Sequence, residues 1–154
     1  MENNVDREYW AKEHPHPLAP NKEDVEKYKE LIGDAQRVLL LGNTPALMDL
    51  CTAAMDSDPF LDDPKVITQD WTTNTVRYDA IIGDGVLNFT EELCKKVLAM
   101  AAKNTDIFVA RAFARRLPIM RIADHFPTAD DFEIKPTTTY AFADYNFFVW
   151  EFDS

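Results

Sequence analysis

Two apolar runs constrain this chain more than anything else in it. "RVLLLG" (37–42) stops at a glycine, and "YDAIIGDG" (78–85) runs into Gly83, Asp84 and Gly85. A continuous apolar run of this length suits a strand covered on both faces, the pattern of a parallel sheet packed between helices. Three more segments read as strands: "CTAAMD" (51–56), "KVITQDW" (65–71) and "DIFVARAF" (106–113).

The helices announce themselves by their caps. "NKEDVEKYKELI" opens on Asn21 with Asp24 three residues later, a capping pattern, and closes at Gly33. "EELCKKVLAMAAK" follows Thr90 and carries Glu91 and Glu92 in its first turn, where acids favour the helix dipole. The tail "DFEIKPTTTYAFADYNFFVWEF" alternates and is rich in threonine and aromatics, with a turn near "ADYN". It predicts an antiparallel hairpin. The expected fold is α/β, mostly parallel, with a C-terminal antiparallel hairpin. Met1 to Pro20, interrupted by prolines at 15, 17 and 20, reads as an N-terminal arm, and 21–154 as a single domain.

The placement of glycines and acids points to a ligand. Of four glycines, Gly42, Gly83 and Gly85 fall at the C-terminal ends of predicted strands. Asp56, Asp70 and Asp84 fall at such ends too. Open α/β sheets bind ligands outside the carboxyl ends of their strands, where the strand order reverses. Gly and Asp are also common turn residues, which is the plain alternative. Gly42 would let a ligand approach the backbone, and Thr44-Pro45 would start a short helix whose amides suit an anion. A carboxylate after the second strand can accept both hydroxyls of a ribose. Trp71 would stack on a purine or sit in the core.

These residues resemble the class I S-adenosylmethionine-dependent methyltransferases, closest to a compact, small-molecule-type bacterial subgroup. The shared features are an arm of the form W-x-x-x-H-P, here "WAKEHPHPLAP"; a first strand ending in "LLLGNTP"; the pair Asp70-Trp71; and "GDGVLN" from Gly83 to Asn88. The likeness runs well from Trp10 to Asn88 and beyond that only in topology. It implies a Rossmann-like methyltransferase fold and S-adenosylmethionine as cofactor. Gly42, Asn43 and Thr44 would then line its methionine end, and Asp56 would hold the ribose. Asp70 and Trp71 would flank adenine. Asp84, Gly85 and Asn88 would face the sulfonium and the substrate entrance, with Trp10 and His14 closing over the site.

The chain departs from the usual pattern in two ways. Thr44-Pro45 stands where a second loop glycine is usual. Gly42 to Asp56 spans 14 residues, against about 20 in a dinucleotide-binding fold. The crossover helices are therefore expected to be trimmed, and "SDPFLDDP" is too short to hold one.

Composition narrows the partners. A formal net charge of -11 disfavours binding to nucleic-acid backbones, and no run is long and apolar enough to span a membrane. The basic stretch "ARRLPIMR" (114–121) reads as solvated charge after a strand. Cys51 and Cys94 form neither a CxxC pair nor a disulfide framework, which suits a reducing cytoplasm. No metal site is expected: His14 and His16 have no further ligand at suitable spacing, and "DSDPFLDDP" lacks the glycine and glutamate of a calcium loop.

The leading expectation is an enzyme that transfers a methyl group from S-adenosylmethionine to an unidentified small molecule. Such transfer needs orientation more than a dedicated motif, so no catalytic residue is assigned; Asp84 is the best-placed acid if a base is needed. The alternative is a cofactor-binding or degenerate domain without turnover, a regulatory partner that could form a homo-oligomer through its aromatic tail. A third reading is an α/β domain for another nucleotide.

Overall fold

A computed structural model describes residues 14–117, 120, 123 and 125–152. Helix α1 (Lys22–Ile32) begins at a reciprocal cap: Asp24 N–H donates to Asn21 Oδ1 at 2.8 Å, and Asn21 N–H donates to Asp24 Oδ2 at 3.1 Å. It ends at Gly33. Strands β1 (Val38–Leu41), β2 (Ala53–Asp56), β3 (Val66–Thr68) and β4 (Tyr78–Asp84) follow. Thr90 caps helix α2 (Glu91–Asn104) by accepting the Leu93 N–H. Strand β5 (Thr105–Phe113) leads through an irregular stretch to β6 (Thr138–Ala141) and β7 (Tyr145–Glu151).

The seven strands lie in one sheet in the order β3-β2-β1-β4-β5-β7-β6. All neighbours pair in parallel from β3 to β5, whereas β7 runs antiparallel to both β5 and β6. The C-terminal hairpin is present, and its second strand slots between β5 and its first. Two-residue periodicity sorts the apolar runs onto the two faces. Val38 and Leu40 face the layer of Tyr28, Leu47, Leu18 and Leu117, while Leu39 and Leu41 face that of α2, Leu87 and Phe132.

The helices are trimmed as expected. The β1-to-β2 crossover holds only a six-residue 3-10 segment, Pro45–Leu50, and the β3-to-β4 crossover only a 3-10 turn, Trp71–Thr73. Among the described residues, α2 is the only α-helix linking two strands. β3 shrinks to three residues with Ile67 exposed, so Asp70 and Trp71 lie beyond its end.

Both cysteines are buried and unpaired, and burial raises both thiols, Cys94 to about 11. Among the described residues no helix is long and apolar enough to cross a membrane, and no group of side chains could hold a metal ion.

Candidate functional site

The chain leaves β1 for β2 and β3 on one side of the sheet, then returns to β4 on the other. The strand order therefore reverses between β1 and β4, where the two strands end together with Leu41 opposite Gly83. Such a reversal opens a crevice above the strand ends.

Gly42 turns the chain at that point with φ +99, a backbone conformation that side chains resist. Its N–H donates to the Met55 carbonyl at 2.7 Å. A Cβ placed on Gly42 would touch only Trp71 Cζ2, at 4.0 Å, an ordinary van der Waals contact. The next residue is the unusual one. Asn43 is 3% exposed, and its Nδ2 is the one buried side-chain nitrogen or oxygen lacking a hydrogen-bond partner among the described residues. An orphaned buried donor costs about 1–3 kcal/mol, and such exceptions need a reason. Thr44 precedes Pro45 at the start of the 3-10 segment, but its hydroxyl makes no capping bond.

Trp71 spans this end of the sheet. Its indole N–H donates to the Met55 carbonyl at 2.6 Å, and its ring lies 6.2 Å from that of Phe89 beyond β4. Asp70 is exposed and accepts from the N–H and hydroxyl of Thr72, both at 2.8 Å. Asp56, half-buried at the end of β2, is pushed above the usual carboxylate range by burial; the backbone N–H groups of Asp58 and Ser57 pull the other way.

On the β4 side the predicted residues are already held by protein groups. The Asp84 side chain is 4% exposed and takes both prongs of Arg111, Nε at 2.6 Å and Nη2 at 2.9 Å. The Tyr28 hydroxyl lies 2.8 Å from its Oδ1. The Asn88 amide bonds the Phe113 N–H and carbonyl and the His125 carbonyl. Gly85 is in the left-handed region, and its N–H donates to the Arg111 carbonyl at 2.8 Å.

Gly42, Asn43, Asp56 and Trp71 thus gather around the ends of β1 and β2, with Asp70 just beyond on the rim. Asp84 and Asn88 turn inward to brace β4 and β5. His14 is half-buried at the start of the described arm, and Trp10 lies outside the described residues.

Sequence reasoning passed over Arg111, which is fully buried on β5. Burial opposes its charge, but Asp84, Tyr28 and Asp24 more than offset that and hold it protonated. Its Nη1 reaches Asp24 at 3.2 Å, and Nη2 reaches the Leu18 carbonyl at 3.2 Å. Tyr145 donates to Asp24 at 2.7 Å, and burial together with that bond pushes its hydroxyl up to about 12. His16 Nε2 stands 3.0 Å from Asp24 and 3.2 Å from the Tyr145 hydroxyl. The available signal was an arginine inside the apolar run "DIFVARAF", since a charge buried there demands a carboxylate.

The fold is shared with solved structures. Magnesium protoporphyrin IX methyltransferase from Synechocystis PCC 6803, solved with SAM bound, superposes with a TM-score of 0.64 over 97% of this chain and 91% of that one, at 14% identity. The fold is that of the class I methyltransferases. The N-terminal domain of EvdMO1, solved with SAH and D-fucose, gives a TM-score of 0.53 at 16% identity, covering 92% of this chain and 85% of that one. A putative methyltransferase, yhhF from Escherichia coli, gives 0.53 at 10% identity, with 93% of each chain covered. No family model matches the chain, and no curated protein matches it in sequence. The methyltransferase fold is therefore carried by topology on a divergent sequence.

Proposed function

We propose that the chain binds S-adenosylmethionine above the ends of β1 and β4 and transfers its methyl group to a small molecule. The observation that carries this reading is the orphaned Nδ2 of Asn43, the residue after Gly42 in the turn that ends β1. A buried donor with no internal partner suits a ligand that brings an acceptor, such as a carboxylate. The fold supports the choice of cofactor, since structures sharing it were solved with SAM or SAH.

The residues present fit that cofactor. Gly42, Asn43 and Thr44 would hold its methionine end, Asp56 the ribose hydroxyls, and Asp70 and Trp71 the adenine. Bound there, the cofactor supplies a methyl group activated by a sulfonium. The chain's task is orientation: Asn43 donates, Asp56 accepts, and the indole of Trp71 presents an apolar face across the strand ends. Gly85 and the braced β4 turn form the wall next to the acceptor. The arm, 1–20, would cover the site of a domain spanning 21–154. A reducing cytoplasmic setting belongs to the same proposal, supported by two unpaired cysteines.

A second reading, a cofactor-binding module without turnover, is favoured by one observation. The Asp84 carboxylate and Asn88 amide are fully engaged inside the protein. Calorimetry with S-adenosylmethionine and with its demethylated product tests both. Binding of neither at millimolar concentration rejects the cofactor. Binding with no methyl transfer to any component of a cell extract favours the second reading.

A further inference from the structure

The buried guanidinium of Arg111 joins more of the molecule than any strand pairing requires. It sits on β5 and bonds Asp84 of β4, Asp24 of α1 and the carbonyl of Leu18, and it lies over the rings of Phe113 and Tyr145. Its own backbone takes part as well. Its N–H donates to the Tyr28 hydroxyl at 3.0 Å, and its carbonyl accepts from Gly85 at 2.8 Å. Both sides of the Asp84–Gly85 turn are therefore fixed by one residue. That turn ends β4 at the reversal of strand order. On the opposite side, the same guanidinium anchors the segment 14–20, where Leu18 is buried.

We propose that Arg111 is a positioning residue that couples docking of the 14–20 segment to ligand binding at the strand ends. This rests on the reading that S-adenosylmethionine or its demethylated product SAH binds there. The planar fork is what makes the coupling possible. It grips Asp84 with two parallel bonds and still directs Nη1 and Nη2 at Asp24 and Leu18. An ordered turn favours a docked segment and a docked segment favours an ordered turn. Linkage makes the effect reciprocal: ligand strengthens docking by the factor by which docking strengthens the ligand. A lysine keeps the charge but cannot hold the turn and the segment at once.

The test uses the full chain, with SAH as probe. Affinity is measured by calorimetry. Docking is read from hydrogen exchange at Ala19, whose N–H bonds the Pro15 carbonyl at 3.2 Å, with Leu40 and Ile82 in the central strands as controls. In the wild type, saturating SAH should slow exchange at Ala19 about tenfold. In Arg111→Lys that slowing should vanish and SAH should bind about tenfold more weakly, while the control amides stay protected. A purely structural role would instead raise exchange at Leu40 and Ile82 together with Ala19. Removing one member of a buried ion pair can prevent folding, so the same readings are taken on Asp24→Asn/Asp84→Asn/Arg111→Met, which removes all three charges at similar shape. The proposal is overturned if SAH still protects Ala19 in either folded variant as it does in the wild type. It also falls if SAH binds the wild type without protecting Ala19. Failure of SAH to bind the wild type at all overturns the cofactor reading itself, and the coupling with it.

Discussion

The side-chain amide of Asn88 binds the backbone of Phe113 in both directions: Nδ2 donates to the carbonyl at 3.0 Å, and Oδ1 accepts the N–H at 2.9 Å. It stands where another strand would, at the C-terminal end of β5. Nδ2 also donates to the His125 carbonyl at 2.9 Å, pinning the chain that returns after β5. Asn88→Ala should therefore cost roughly 1–3 kcal/mol in urea unfolding, because buried backbone groups lose their partners. Asn88→Asp should cost more at neutral pH, since its carboxylate would face two carbonyl oxygens. That variant should recover as pH falls and the carboxyl gains a proton to donate. Equal stability of the two variants at pH 7 would rule out this account.

Asn43→Leu separates stability from binding. It removes the orphaned donor at similar volume, so thermal unfolding without ligand should occur at the same temperature or higher. Affinity for SAH should fall about tenfold, the loss of one buried hydrogen bond to a charged acceptor. An unchanged affinity would take Asn43 out of the site.

If Asp56 holds the ribose as proposed, its burial predicts a pH dependence of binding with a definite sign. Burial raises its carboxyl above the ordinary value of 3.8, so it gains a proton at a higher pH than an exposed acid would. For stability, a raised pKa means a contribution that is complete below the unfolded value and lost as pH rises through the folded one. Ribose hydroxyls would favour the ionised form, so ligand affinity should weaken as pH falls through that raised value. Asp56→Asn should flatten this dependence and weaken binding at pH 7 by about 1.5–3 kcal/mol. Calorimetry across the acid range reads both effects.

Gly83 is fixed by close approach. A Cβ there would lie 2.7 Å from Val86 Cγ2 and 3.1 Å from Cγ1, both in the tightly packed turn after β4. Gly83→Ala should destabilise by roughly 1–3 kcal/mol. Adding Val86→Ala should restore part of that loss, a coupling that denaturation of the four proteins in the cycle would measure.

The sheet was legible because its cues are local. Runs such as Val38–Leu41, the caps at Asn21 and Thr90, and the alternation in 138–151 each lie within one element. The trimmed crossovers could be counted directly from Gly42 to Asp56. The bracing of the site could not be read in this way. Asp84 meets Arg111 across 27 residues, and Arg111 meets Asp24 and Leu18 across 87 and 93. A sequence shows that a carboxylate stands at a strand end. It does not show which group holds that carboxylate, as Arg111 holds Asp84, nor that the backbone of Phe113 holds Asn88. Asn43 is the converse case: only packing reveals a donor left without a partner.

The insertion of β7 between β5 and β6 sets the order of events at the ribosome. β5 emerges with β4 already made, but its other edge has no partner until residues 145–151 follow. The hairpin cannot simply add to the outside, because its later strand takes the inner place. Until then the apolar edge of Phe108, Ala110 and Ala112 is open to any passing strand. A released fragment ending before Tyr145 should therefore depend on chaperones far more than a released chain that includes residues 145–151.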